Sequence, residues 1–239
     1  KWLFESTNKI NWKDYKISLL LGGEGFTSSF RDYMYEKYIN QGIIISAYGT
    51  SDLGIPCASE TSASLEIIKN VEKNEELKKA LFLKDSQTPM LFQYNPTSYH
   101  IYSNKDNELI FTMLNLDANQ PLVKYNIHDL GGVISYNQMK EILQKGNINI
   151  SMPFKFPFLY VYGRSTGEVK ICGMLIYPDN IKDVIYKNRE IADKVTGVFK
   201  MYTIEKLKSQ FCIDMELKKG LKSTNFLRKR METLLEESL

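Results

Sequence analysis

Apolar positions along the chain change rhythm twice, and the changes mark three stretches. In the first, Ile17 to Leu21 and Ile43 to Ala47 are short apolar runs that predict buried strands. Between them Phe26, Phe30, Met34 and Tyr38 recur every fourth residue, which puts them on one face of a helix. Thr27 or Ser28 can cap that helix, and Gln41-Gly42 ends it. Strand, helix and strand make a βαβ unit of parallel strands, with both carboxyl-end loops, Gly22 to Gly25 and Tyr48 to Asp52, expected on one edge of the sheet. Upstream, Trp2, Leu3, Phe4 and Trp12 suggest a short helix and a connector. Downstream, from Ser59 to Asp85, the chain is polar and charged, and Leu65, Ile68, Val71, Leu77 and Leu81 give an irregular helical pattern. That pattern predicts a solvated helical excursion at the surface.

After Pro89 the period shortens to that of strands: Met90 to Tyr94, Tyr99 to Ser103, Glu108 to Met113, Leu122 to Asn126 and Val133 to Tyr136. The turn Asn104-Lys105-Asp106-Asn107 joins two of them as a hairpin, so a small antiparallel barrel or sheet is expected. Met139, Ile142 and Leu143 mark a helix in a packed connector over 137–158, and Leu159 to Tyr162 returns to strand. In Gly163-Arg164-Ser165-Thr166-Gly167 two glycines bracket three polar residues, the best linker candidate in the chain. Beyond it the pattern restarts with strands Glu168 to Cys172 and Met174 to Tyr177 and a helix opened by Pro178. Strands Val198 to Ile204 and Phe211 to Leu217 follow, then an amphipathic helix through Leu227, Met231, Leu234 and Leu235. The predicted class is α/β. A parallel βαβ segment (1–88) and a barrel-like antiparallel part (89–162) form the later part of a large domain, 163–167 is a hinge, and 168–239 is a small α+β domain.

Composition narrows the function classes. With 43% hydrophobic and 25% charged residues and a net charge of +3, the chain reads as an ordinary globular protein with no field that demands nucleic acid or acidic lipid. The basic run Lys218, Lys219, Lys222, Arg228, Lys229 and Arg230 has little aromatic interleaving and reads as a solvated face. No apolar run is long enough for a membrane span. Cys57, Cys172 and Cys212 are odd in number, widely spaced and free of any CxxC pattern, which predicts free thiols in a reducing, cytoplasmic setting rather than disulfides or zinc. The chain starts at Lys1 and is expected to be a piece of something longer.

The candidate chemistry sits on Tyr48-Gly49-Thr50-Ser51-Asp52, where a predicted buried strand runs out. Ligands of parallel sheets bind beyond the carboxyl ends of the strands. Gly49 lets a ligand approach the backbone, Thr50 and Ser51 can donate to phosphate oxygens, and Asp52 can hold Mg2+ as a hard oxygen ligand. The same five residues also fit an ordinary turn with a polar tip. A second acid, Asp129, is expected at a strand end beside Gly131 and Gly132, where an Asx turn is the plainer reading.

Taken in order, Gly22-Gly23-Glu24, Tyr48 to Asp52, Pro121 to Tyr125 leading to Asp129, and Gly163-Arg164 leading to Val169 to Gly173 resemble the motifs of the adenylate-forming ligases. The likeness is greatest to the phenylacetate-coenzyme A ligase branch and runs from about Leu19 to about Ile185. It implies ATP-dependent activation of a small carboxylic acid to an acyl-adenylate, then transfer to coenzyme A or to a protein or carrier thiol. Carried over by position, Gly23 and Glu24 would lie along the adenine and Tyr48 would stack on it, with Gly49 beside them. Thr50 would meet the α-phosphate, Asp52 would hold Mg2+, Asp129 would accept from the ribose hydroxyls, and Arg164 would reach ribose or phosphate. Thr166 would be the hinge, and Lys170 would be brought to the reacting atoms by rotation of the small domain. A homodimer is an assembly the resemblance allows.

The departures are specific. Asp52 stands where the family has glutamate, Asn126 where it has arginine, His128 where it has glycine, Thr166 where it has aspartate and Lys182 where it has an acid. The phosphate loop expected before Gly22 and the lysine motif expected after the last helix are absent, so the chain is expected to be the C-terminal portion of such an enzyme. The alternative is a non-catalytic relative that only binds nucleotide.

Overall fold

The computed structural model describes residues 1–7, 10–83, 87–114, 121–164, 169–171, 174–204 and 210–238. In chain order the elements are α1 (Trp2–Ser6), β1 (Leu19–Leu21), α2 (Ser28–Lys37), β2 (Ile44–Thr50), β3 (Gly54–Ser59), α3 (Ser62–Val71) and α4 (Glu75–Leu81). Then come β4 (Met90–Gln93), β5 (Tyr99–Ser103), β6 (Glu108–Met113), β7 (Tyr125–Ile134), α5 (Tyr136–Lys145) and β8 (Phe158–Arg164). The last are β9 (Val169–Ile171), β10 (Met174–Ile176), α6 (Pro178–Lys187), α7 (Arg189–Lys194), β11 (Val195–Ile204), β12 (Gln210–Leu217) and α8 (Asn225–Ser238).

Residues 19–25 and 44–165 make one compact body, built on a mixed eight-stranded sheet in the order β1-β2-β3-β4-β8-β7-β6-β5. Only β1 and β2 run parallel, with Leu19 opposite Ile44, as the βαβ reading expects. The other pairs are antiparallel, so what was expected as a separate barrel-like part is a continuation of the same sheet. Strand side chains alternate between faces, and the alternation here separates two cores. Leu91 on β4 and Phe158, Tyr160 and Tyr162 on β8 point to one face, where they meet Ala63, Ile67, Leu81, Met139 and Leu143 of helices α3, α4 and α5. Phe92, Leu159 and Val161 point to the other, where they meet Tyr48, Cys57, Leu109, Phe111 and Ile127.

That second core joins strands from distant places in the order, so the sheet is rolled. The Tyr48 ring of β2 lies 6.3 Å from that of Phe111 on β6, and the Tyr99 hydroxyl of β5 donates to the Leu53 carbonyl at 2.7 Å. The rolled face gives the barrel-like character that the short strands predict.

Three expectations for this body are corrected. The 59–85 stretch is two capped helices, not a surface excursion: Thr61 and Ser64 form a capping box, Asn74 caps α4, and Ala63, Ile67, Val71, Leu77 and Leu81 are buried on one face. Tyr48, Gly49 and Thr50 belong to β2 rather than to a loop, because β3 folds straight back on them with Thr50 opposite Gly54. Finally, β7 is one strand of ten residues where two were expected, and Asp129 lies within it rather than at an end.

Glycines close the β7–β8 seam. A Cβ on Gly131 would sit 2.1 Å from the Tyr160 carbonyl oxygen, and one on Gly132 would meet the Tyr160 ring and hydroxyl at 2.4–2.8 Å. Gly132 pairs directly with Tyr160, whose ring covers the bare backbone.

The described residues of 1–18, 26–43 and 166–239 make the second body. Residues 1–18 and 26–43, placed by the sequence in the large domain, therefore group with the C-terminal residues. The reason is visible on α2, capped by Thr27 as expected. Phe30 packs on Tyr186 of α6 with ring centroids 4.5 Å apart, Ser29 Oγ donates to Asp183 at 2.5 Å, and the Tyr33 hydroxyl donates to Asp193 of α7 at 3.0 Å. Pro178 opens α6, β9 pairs with β10, and β11 pairs with β12, all antiparallel and all near the expected positions. Of the expected hinge, residues 165–167 lie outside the described set. Cys57 and Cys212 are free thiols, while Cys172 lies outside the described residues. No helix among the described residues is long and apolar enough to cross a membrane.

Candidate functional site

Rolling the sheet brings two of the singled-out residues together. Tyr48 enters from β2 and Asp129 from β7, and the Tyr48 hydroxyl donates to Asp129 Oδ2 at 2.7 Å. Both side chains are 8% exposed. A carboxylate with that little water needs donors to stay charged, and the phenol is one. The Tyr48 ring is fixed in turn against Phe92, with centroids 5.6 Å apart. Cys57 is in the same core. Burial above all pushes its thiol up to about 12, and the Asp129 charge adds to this, so it has no thiolate to offer at neutral pH.

The β2–β3 hairpin carries the next candidates. Thr50 Oγ1 accepts from the Leu53 N–H at 3.2 Å, which ties the hydroxyl to its own turn. Asp52, on the exposed turn, accepts from the Tyr125 hydroxyl at 2.8 Å, and this bond first, then the carboxylate's charge, raises the Tyr125 phenol above its usual range. Gly49 is demanded by the hairpin itself, since a Cβ there would lie 2.5 Å from the Gly54 carbonyl. Gly22 packs under the Ala47 carbonyl, Gly23 turns at φ +94° with open space over its Cα, and Glu24 is exposed. Asp129 and Arg164 are paired in register on β7 and β8, although the Arg164 side chain lies outside the described set. Lys170, exposed on β9, belongs to the other body. Among the described residues no three His, Cys, Asp or Glu side chains gather as a metal site.

One charged cluster has no counterpart in the sequence reading. Glu108 on β6 accepts from Asn126 Nδ2 at 2.7 Å and Asn104 Nδ2 at 3.0 Å, and lies 3.0 Å from His128 Nδ1. These bonds, His128 first, hold its carboxyl down at about 2, against an ordinary 4.5. The stabilisation is fully present above pH 4.5 and is lost as the pH falls through about 2. Glu108→Gln should therefore be less stable than the parent at neutral pH, with the gap closing between pH 4.5 and 2. Urea midpoints across that range check it, and a gap that stays constant would show that the carboxylate's charge does not matter. Nothing in the sequence around Glu108 marks it, because a lone acid in a strand is common. Its three polar partners lie on the β5–β6 turn and on β7, and only the register brings them together.

The rolled sheet with its three helices can be compared with known proteins. No protein-family model matches the sequence, and no curated protein does. Solved structures match nearly the whole chain. A 2-hydroxyisobutyryl-CoA ligase, in complex with R3-HIB-AMP in the postadenylation state, superposes with a TM-score of 0.65 at 15% identity, covering 99% of this chain and 46% of that one. The fold is that of the AMP-forming ligases. A coronafacic acid ligase from Pectobacterium brasiliense matches with a TM-score of 0.51 at 12% identity, over 99% of this chain and 41% of its own. An anthranilate CoA ligase in complex with anthranoyl-AMP matches with a TM-score of 0.50 at 9% identity, over 93% and 38%. The chain thus spans less than half the length of these ligases, and at such identity the likeness concerns the fold.

Proposed function

We propose that this chain supplies the adenosine-holding part of an enzyme that spends ATP to activate a carboxylic acid as its acyl-adenylate, then passes the acyl group to a thiol such as coenzyme A. The observation that carries the reading is the buried Tyr48–Asp129 pair on the rolled face of a ligase fold. A carboxylate accepts from two hydroxyls of a diol, and Asp129 has both the acceptor capacity and the low-dielectric setting to make such bonds strong. On the same face of β2, two residues before Tyr48, the buried Ser46 hydroxyl has no hydrogen-bond partner among the described residues. The Gly23–Glu24 backbone would lie along the adenine. Tyr48, whose ring packs on Phe92 and Phe111, would hold Asp129 with its hydroxyl and border the adenine with its ring.

Mg2+ would be held through the hairpin turn. With one carboxylate, Asp52, on the hairpin turn, the chain can offer a single hard oxygen ligand while phosphate oxygens and water complete the shell. When bound, the ion would neutralise charge on the phosphates. Thr50 would have to exchange its bond to Leu53 N–H for one to the α-phosphate. Lys170 is proposed to meet the reacting atoms in the thiol-transfer arrangement.

The test is acid-dependent pyrophosphate release by the complete enzyme. Asp52→Ala should leave AMP binding within about twofold of the parent while lowering Mg2+-dependent turnover about a hundredfold, since a metal acts on charge developing at phosphorus. Turnover unchanged in Asp52→Ala would remove the metal role. A second reading, a body that binds nucleotide without turnover, is favoured by the partners that Asp52 and Thr50 already have within the fold. It predicts AMP binding with no pyrophosphate for any acid.

A further inference from the structure

We infer that Glu108 and Asn126 hold His128 in a left-handed turn that aims Asp129, which makes them positioning residues for the nucleotide contact; the inference rests on the reading of Asp129 as the ribose acceptor. The register between β6 and β7 pairs Glu108 with Leu130 and Ile110 with Asn126. Between those pairs β6 has one residue, Leu109, whereas β7 has three, Ile127, His128 and Asp129. A bulge of this kind bends the strand and redirects its side chains. Ile127 and Asp129 both turn into the rolled core, and His128 between them faces solvent with its side chain 73% exposed. Without the extra residues a single inward side chain would stand across from Leu109. With them the Asp129 carboxylate reaches the Tyr48 hydroxyl at 2.7 Å.

The bulge depends on a backbone conformation that a histidine does not choose freely. His128 has φ +62°, in the left-handed region where a Cβ crowds the following carbonyl. Two bonds to β7 and β6 hold it there: its N–H donates to Asn126 Oδ1 at 2.8 Å, and its ring Nδ1 lies 3.0 Å from Glu108 Oε1. Asn126 is braced in turn, its Nδ2 donating to Glu108 Oε2 at 2.7 Å. Asn104 Nδ2 donates to the same oxygen, and the Gly131 N–H donates to the Asn107 carbonyl, so the β5–β6 turn anchors the far side of the bulge. One carboxylate thus clamps both ends of the left-handed turn. Nothing in this cluster needs to touch a ligand. Its effect would reach the ligand only through the direction of Asp129.

Glycine separates positioning from general stability, because it takes a positive φ without strain and needs no clamp. Calorimetric titration of AMP into the full 239-residue chain reads the effect. Glu108→Ala should weaken AMP binding about tenfold in the His128 background, and by about twofold or less when added to His128→Gly. Should Glu108→Ala fail to fold, the exposed position decides alone: His128→Ala, which keeps the strain and loses the ring bond, should weaken binding about tenfold, and His128→Gly by about threefold or less. Equal losses for Glu108→Ala in both backgrounds, or equal binding by His128→Ala and His128→Gly, would overturn the inference. So would parent-like binding by Glu108→Ala while Asp129→Ala still loses affinity. Parent-like binding by Asp129→Ala, or no AMP binding by the parent chain, would instead remove the ribose reading on which the inference stands.

Discussion

Asp129→Ala should bind AMP with a loss of about 1.5–3 kcal/mol, the worth of hydrogen bonds to a charged group, or roughly ten- to a hundredfold in dissociation constant. The loss has two sources. On the proposed reading two ribose hydroxyls would lose an acceptor, and the buried Tyr48 hydroxyl would lose its bond to Oδ2 and turn to another polar atom. Tyr48→Phe separates them, since it removes the hydroxyl, keeps the ring on Phe92 and leaves the carboxylate in place. Calorimetry on the three proteins should rank them parent, Tyr48→Phe, Asp129→Ala in order of falling affinity. If Asp129→Ala matched the parent, the buried acid would be a structural group and the site would have to lie elsewhere.

The largest stability effect is expected at Phe158. Its ring has no exposed surface, and it stands on β8 between β4 and β7, facing the core that α3, α4 and α5 cover. Phe158→Ala removes buried apolar surface and leaves a cavity that the flanking strands cannot close, a change that costs about 3–5 kcal/mol. Against a typical total of about 5–15 kcal/mol, that is between about a fifth and the whole of the stability. Urea denaturation followed by far-ultraviolet circular dichroism measures this. A loss below about 1 kcal/mol would mean that the helical layer is not packed on the sheet as described.

Much of the local structure was legible because it is governed by short-range rules. The hairpin strands β5 and β6 fall where alternation and the Asn104 to Asn107 turn put them. The βαβ pairing of β1 with β2 and the Pro178 start of α6 were equally direct. What escaped is non-local or hidden by a local contradiction. The strand β3 contains Pro56 between Gly54 and Cys57, and a missing donor beside a glycine reads as loop. On β7 the left-handed His128 and the two glycines read as a break between strands, whereas the bulge keeps the ladder going. Helix α4 looked solvated because its four charged residues outnumber its two buried leucines, and α3 because small and polar residues interrupt its stripe. For the site, the motifs named Tyr48 and Asp129 separately, while their contact follows from the roll of the sheet. Glu108 could not be seen at all until β6 was set against β7.

The glycine pair beside Asp129 has a bearing on how such chains are recognised. Gly131 and Gly132 are required by the carbonyl and ring of Tyr160 across the seam, whatever occupies the cleft. A descendant that had abandoned its ligand would still be held to both by the seam, whereas the neighbouring aspartate, bonded to Tyr48, could be exchanged together with that tyrosine. In a diverged lineage the two glycines would report ancestry of the scaffold, and the acid before them would report whether the proposed ribose contact was inherited with it.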